Sequence, residues 1–268
     1  LNLGSTSLRL HTEESKMSEV IGKLVEAIDK NVKPATFPIG IKLAVKGDEI
    51  SQKHRRPSRD LGNPVAACQG MSMARTFGWS VVLGEEDHAC PVGAIGAGHI
   101  EPDLFLEGGV AELYQDDPEA ARKMEATYPR QPVGAINEIW LSPLARCEFD
   151  PDLAVIYGNP GQILVLIHAA NYGKGDGIRS SGTGRFGCSE WIAGVAQSGE
   201  CAYAIPGSGE RVFAGTQDHE MCFMVPASKF ESLTQGLAVM RKKGMYRYPV
   251  PNMNLMNKPK MPEKYSIL

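Results

Sequence analysis

Short apolar runs bounded by turn residues recur along this chain, with helix start signals between them. Phe37 to Val45, Trp79 to Leu83, Asn137 to Pro143, Leu153 to Tyr157 and Met221 to Val225 read as strands by their length and apolar, β-branched content. A proline in the first turn, tolerated there because its missing amide would be unpaired anyway, marks helix starts at Pro64, Pro91 and Pro118. Strands that alternate with helices bury their apolar faces by forming a sheet with helices packed on it. The expected fold is therefore α/β or α+β, with a mixed sheet and helices around it, as one compact unit or two packed lobes.

The remaining elements follow from periodicity and punctuation. Val20, Leu24, Ala27 and Ile28 predict an amphipathic helix from Ser18 to Asn31, which leaves residues 1–17 as an N-terminal tail. The turn Gly158-Asn-Pro-Gly161 feeds a helix from Gln162 to Tyr172, and an apolar helix opens at Cys188 and stops at Gly199. A short strand is expected at Arg211 to Phe213, and a helix from Ala227 to Lys243 closes the domain that begins at residue 18. The proline-rich segment 244–268, with Met253, Leu255 and Met256, is long enough to embrace a second subunit, so a homo-oligomer is expected. No repeat of fixed period is visible.

Charge narrows the partners. The 28 basic and 31 acidic residues are mixed along the chain and leave a net charge of −3, without the footprint of a nucleic-acid or anionic-membrane binder. The one basic cluster, Lys53 to Arg59, reads as a solvated loop. No apolar run is long enough to span a bilayer and the N-terminus lacks a secretory h-region, so the expected location is the cytoplasm. The expected partner is a small-molecule substrate.

Known site patterns are mostly absent. GxGxxG does not occur at a strand-to-helix junction, GxSxG is missing, and the glycine-rich stretch Gly173 to Gly187 is not a P-loop. The chain has 6 cysteines and no CxxC pair, which excludes zinc-ribbon and bacterial ferredoxin spacings but not a site assembled from distant loops.

Cys68, Cys90 and Cys188 share one context. Each sits at the start of a helix, where free backbone amides and the helix dipole favour a thiolate. Cys147, Cys201 and Cys222 lack it; Cys222 lies in an apolar strand and reads as a core residue. Packing alone would also account for scattered cysteines, a residue type that is usually buried.

The ordered segments Ala67-Cys-Gln69, Asp87-His-Ala-Cys-Pro-Val-Gly93, Gly158-Asn-Pro-Gly-Gln162, Cys188-Ser-Glu190 and Arg211-Val-Phe-Ala-Gly215 resemble the domain-of-unknown-function family numbered 169, found in archaea and anaerobic bacteria. The similarity runs from about Ser18 to Lys243. It implies that Cys68, Cys90 and Cys188 match the family's recurring cysteines and that the other cysteines do not.

Three thiolates form an incomplete tetrahedral set. Zinc would complete it with His88 or His219; a [4Fe–4S] cluster would leave one iron for Glu190, His88, water or substrate. The Cys-Pro dipeptide and the anaerobic setting of the family favour the cluster, with zinc as the alternative metal. An open iron is a Lewis acid suited to a lyase or an oxidoreductase. Asp87, His88 and Glu190 are the nearest candidates for general acid or base; each also has a plainer role, Asp87 and His88 as helix caps and Glu190 as a first-turn acid. Two other classes stay open: a thiol enzyme using Cys90 or Cys188 with His88 as base, and a non-catalytic metal-binding or electron-transfer module.

Overall fold

The computed structural model describes residues 4–103, 107, 113–180 and 187–243, with side chains from residue 16 onward. Its strands are β1 (Ile39–Ala44), β2 (Val81–Leu83), β3 (Glu138–Pro143), β4 (Leu153–Gly158), β5 (Ala202–Ala204) and β6 (Met221–Pro226). They form a six-stranded sheet in the order β2-β3-β1-β4-β6-β5. Every neighbouring pair in it is antiparallel, so of the two expected classes the fold is α+β, and the mixed sheet is corrected to an antiparallel one.

Strand alternation divides the core into two layers. Ile39, Ile41, Ile139, Leu141, Val155, Tyr157, Cys222 and Met224 face one side, whereas Ala154, Ile156, Phe223 and Val225 face the other. The second face is covered by α1 (Gly4–Asn31), α5 (Pro160–Asn171) and α8 (Phe230–Lys243) through Leu24, Ile28, Leu166, Phe230 and Leu237. The first face is covered by α2 (Ala67–Phe77) and α6 (residues 187–198) through Met71, Ala74, Trp191, Ile192 and Val195. Shorter helices, α3 (Pro91–Gly96) and α7 (Ser208–Ala214), flank them, and α4 (Pro118–Ala126) is capped by the Asp117 carboxylate.

The strand order contains a repetition that the sequence does not display. β1 and β2 point the same way with β3 inserted between them; β4 and β5 point the same way with β6 inserted between them. Outward from the centre, each half therefore reads first strand, third strand, second strand. The halves meet through the antiparallel pair β1–β4, which relates them by a pseudo-twofold axis. Under this relation α2 corresponds to α6, and α3 corresponds to α7. The helices also pack across the halves, α2 against α7 and α3 against α6.

Several boundaries differ from the sequence reading. The first helix begins at Gly4, not at Ser18, because nothing in residues 4–17 breaks it: the stretch has no proline, and the glycine stands at its first position. Arg211 to Phe213 lies in helix α7, not in a strand; a three-residue apolar stretch is too short to distinguish the two periods. β5 pairs only with β6 at the sheet edge and is too short to signal itself. The segment 244–268, on which the expected homo-oligomer rests, lies outside the described residues, as do residues 181–186 of the glycine-rich loop. Among the described residues, no helix is long and apolar enough to cross a membrane.

The helices of the second face approach closely at one glycine. A Cβ on Gly236 of α8 would collide with the backbone carbonyl of Ala169 in α5, and neither backbone can yield cheaply. Gly236→Ala is therefore expected to destabilise the fold by about 1–3 kcal/mol despite the better helix propensity of alanine, read from the urea midpoint. An unchanged or raised midpoint would show that α5 and α8 do not pack backbone to backbone.

Candidate functional site

Cys68, Cys90 and Cys188 come from three separate helix starts and line one cavity of about 180 Å³. Cys68 is the second residue of α2, Cys188 the second residue of α6, and Cys90 the N-cap of α3, whose first residue is Pro91. Cys68 and Cys188 thus occupy equivalent positions in the two halves of the fold. The cavity far exceeds the ~30 Å³ share of one water and falls short of the ~300 Å³ at which drug-sized ligand pockets begin. Its wall includes Val92 and Phe213, and the glycines Gly187, Gly207 and Gly209 bring backbone to its surface.

The fourth acidic group at the cavity is Glu210, in α7. Its residue is only 3% exposed. One carboxylate oxygen, Oε2, accepts the Gly207 amide at 2.8 Å, and the other, Oε1, accepts the Tyr157 hydroxyl at 3.3 Å. Gly187, next to Cys188, is required here, because a Cβ at that position would collide with the Glu210 carboxylate. Behind this group, the Arg75 guanidinium stacks 4.2 Å from the centre of the Tyr157 ring and binds Glu220 through two hydrogen bonds of 2.7 and 3.0 Å. The cavity therefore has a rigid, buried polar floor.

These acids act on one another. Burial pushes the Cys68 thiol up to about 12, and the Glu210 carboxylate and Cys90 add to the shift as like charges. Burial raises Cys188 as well, reinforced by Glu210, Cys68 and Cys90. The Cys68 thiolate is favoured, in the opposite sense, by its own amide and that of Gln69, as the start of a helix provides. Glu210 is itself raised, by burial first. Among the described residues, no three His, Cys, Asp or Glu side chains close on a single ion-binding point.

Asp87, His88 and Glu190 do not line this cavity. Asp87 is fully buried, and its carboxylate accepts the amides of Ser58 and Gly84 at 2.9 and 3.0 Å. The backbone beside it is paired to the approach of α2: Val65 N–H donates to the Asp87 carbonyl at 2.8 Å and Ala89 N–H to the Val65 carbonyl at 2.9 Å. This parallel bridge ties the Cys68 and Cys90 loops together. His88 meets His99 at 3.1 Å between Nε2 and Nδ1, and burial, with His99 second, pulls its pKa down to about 4, so the ring is neutral at pH 7. Glu190 begins the π-helical stretch of α6 and faces a wider pocket of about 840 Å³ beside the glycine-rich loop. The Gly158-to-Gln162 motif is a structural joint: Gln162 donates to the carbonyls of Val32 and Lys33 at 3.0 and 2.7 Å, fixing the end of α1 to α5.

Sequence reasoning missed Glu210, Tyr157, Arg75 and Glu220. Glu210 had a signal, since Gly207-Ser-Gly-Glu places a glutamate at the third position of a helix, where it reaches back to the N-cap amide. The other three residues had none, because their partners are remote in sequence.

The fold and cavity define a class: a two-half α+β fold in which helix starts from both halves present thiols to one small cavity. The chain belongs to the DUF169 family, described as "Uncharacterised ArCR", whose sequence profile matches residues 27–236. No curated protein and no solved structure matches it.

The raised thiols give a direct expectation for the metal-free protein. A pKa of about 12 leaves on the order of one Cys68 in ten thousand as thiolate at pH 8. Alkylation of Cys68 by iodoacetamide is expected to run at least a thousandfold slower than that of free cysteine, gaining about tenfold per pH unit below the folded pKa. Peptide-resolved mass spectrometry of the timed reaction measures it, and a rate near that of free cysteine would show Cys68 to be solvated.

Proposed function

We propose that this chain holds a [4Fe–4S] cluster on Cys68, Cys90 and Cys188, with the fourth iron turned toward a small-molecule substrate. The observation that carries the reading is the convergence of these three thiols, from three helix starts, on one cavity of about 180 Å³. Two further features support it. Burial raises the Cys68 and Cys188 thiols, with Glu210 and the neighbouring thiols adding to both shifts, and a multivalent cation relieves that cost by displacing the protons. The cavity is also several times the size of a single metal ion, which favours a cluster over zinc.

Bound there, the cluster supplies a Lewis acid or an electron. The chain's own residues do the rest. Amides at the start of α2 would stabilise the Cys68 thiolate once the cluster displaces its proton, and Pro91 fixes the turn that carries Cys90. Val92 and Phe213 give the cavity an apolar wall, and the glycines at positions 187, 207 and 209 let an occupant approach the backbone. Asp87 and His88 serve the loop that carries Cys90 and are given no proton to move. The thiol-enzyme reading draws less support at Cys188, because a nucleophilic cysteine needs a lowered pKa and burial raises it there.

The test is the visible spectrum, iron and acid-labile sulfide content of protein purified without oxygen. Near-equal iron and sulfide with brown colour is expected, reduced at least tenfold by Cys68→Ser, Cys90→Ser or Cys188→Ser and retained in Cys222→Ser. Reconstitution is expected to release protons and to strengthen as pH rises, since burial raises Cys68 and Cys188 and keeps them protonated at neutral pH. Colourless protein with one zinc, or with no metal, would overturn the cluster.

A further inference from the structure

We infer that Glu210 is the fourth protein ligand of this site: its carboxylate occupies the open position of the centre and is the group a substrate displaces. The inference rests on the cluster reading above. Its own basis is the pseudo-twofold relation of the two halves. Cys68 of α2 and Cys188 of α6 are equivalent second residues of equivalent helices. Cys90 opens α3, between β2 and β3; the equivalent helix between β5 and β6 is α7, which carries Glu210 in its first turn. Each half thus delivers two acidic donors to the same cavity, a pair of thiols from one and a thiol with a carboxylate from the other.

The local chemistry agrees with this role. A carboxylate offers about four lone-pair positions. The Gly207 amide and the Tyr157 hydroxyl use one on each oxygen, which leaves an acceptor position on each for a metal. A glutamate acting only as a helix cap has no need of the cavity, for the capping geometry is satisfied equally at an exposed surface. Glu210 is buried at the cavity and packed against a glycine that makes room for it beside Cys188. Tyr157, backed by Arg75 and Glu220, fixes the orientation of the carboxylate in the way that outer partners orient metal ligands. A carboxylate binds iron less tenaciously than a thiolate, so the position it fills is the one open to exchange.

The experiment is EPR of the reduced cluster in water enriched in the magnetic oxygen isotope, on native protein and on Glu210→Ala. The native signal is expected to show no isotope broadening, because Glu210 and not water holds the fourth iron; Glu210→Ala is expected to broaden as water takes the vacated place. Broadening of the native signal would overturn the assignment and leave the cluster reading intact, as would absence of broadening in both proteins. If Glu210→Ala does not fold, the native signal together with Glu210→Gln decides, the amide being expected to lower the retained iron toward three per cluster. Native protein without iron and sulfide would overturn the cluster reading and this assignment together.

Discussion

The central antiparallel pair β1–β4 is the contact on which the rest of the structure depends. Its register sets Ile39 opposite Val155, Gly40 opposite Ala154 and Ile41 opposite Leu153, and among the described residues it is the seam through which the sheet joins its two halves. Asp152 locks the end of the seam: its carboxylate accepts the Leu43 amide at 2.7 Å, and its own amide donates to the Ile41 carbonyl at 2.7 Å. Gly40 is required in the middle, because a Cβ there would run into the Cys147 sulfur and crowd Leu144 and Pro151. A slip by one residue would turn one strand's faces over relative to the other, placing either Ile39 and Ile41 or Val155 against the wrong helix layer.

The site follows from that seam. Because the two halves are joined by an antiparallel pair, their crossover helices α2 and α6 lie on the same face of the sheet and start from loops that meet. Each helix start offers unpaired amides to whatever anion the loop carries, and each carries a cysteine. The cost is electrostatic. Burial raises Cys68 and Cys188, reinforced by Glu210 and the neighbouring thiols, and burial raises Glu210 itself. Neutral thiols pack as small apolar groups, which suits Cys68 and Cys188 to buried positions at these helix starts.

Much of this was legible in the sequence, and what was not has identifiable causes. The division of the cysteines was readable because it depends on local chemistry: the Pro64 turn before Cys68, Pro91 after Cys90 and the glycine-rich approach to Cys188 all mark helix starts, although the first of these helices begins at Ala67 and not at Pro64. The major strands were readable from their apolar content. Strand direction was not, because adjacent antiparallel strands and a βαβ unit share the same local pattern, and direction is decided by the inserted strands β3 and β6. The pseudo-twofold relation was hidden for a similar reason: the halves repeat a path, not a sequence, and the second half holds the extra helix α5 between its first two strands. Glu210 was lost to the misreading of Arg211 to Phe213 as a strand, which turned its helix start into a loop.

The motif Asp87 to Gly93 shows how a functional-looking cluster divides into parts. Its acid and histidine stand beside a cysteine, an arrangement that invites an acid-base reading, yet Asp87 spends its carboxylate on two backbone amides, near Arg56 at 3.6 Å. The backbone bridge from Val65 to His88 then places the two cysteine loops of the first half at a fixed distance before any occupant arrives. In the second half the corresponding task falls to Glu210 itself, which holds the Gly207 turn with one oxygen while standing at the cavity beside Cys188. One half therefore separates the latch from the residue that lines the cavity, and the other combines them in one side chain. Through the Tyr157 hydroxyl the same carboxylate is also tied to β4, in the middle of the sheet, so that the Gly207 turn and the sheet are joined at the wall of the cavity.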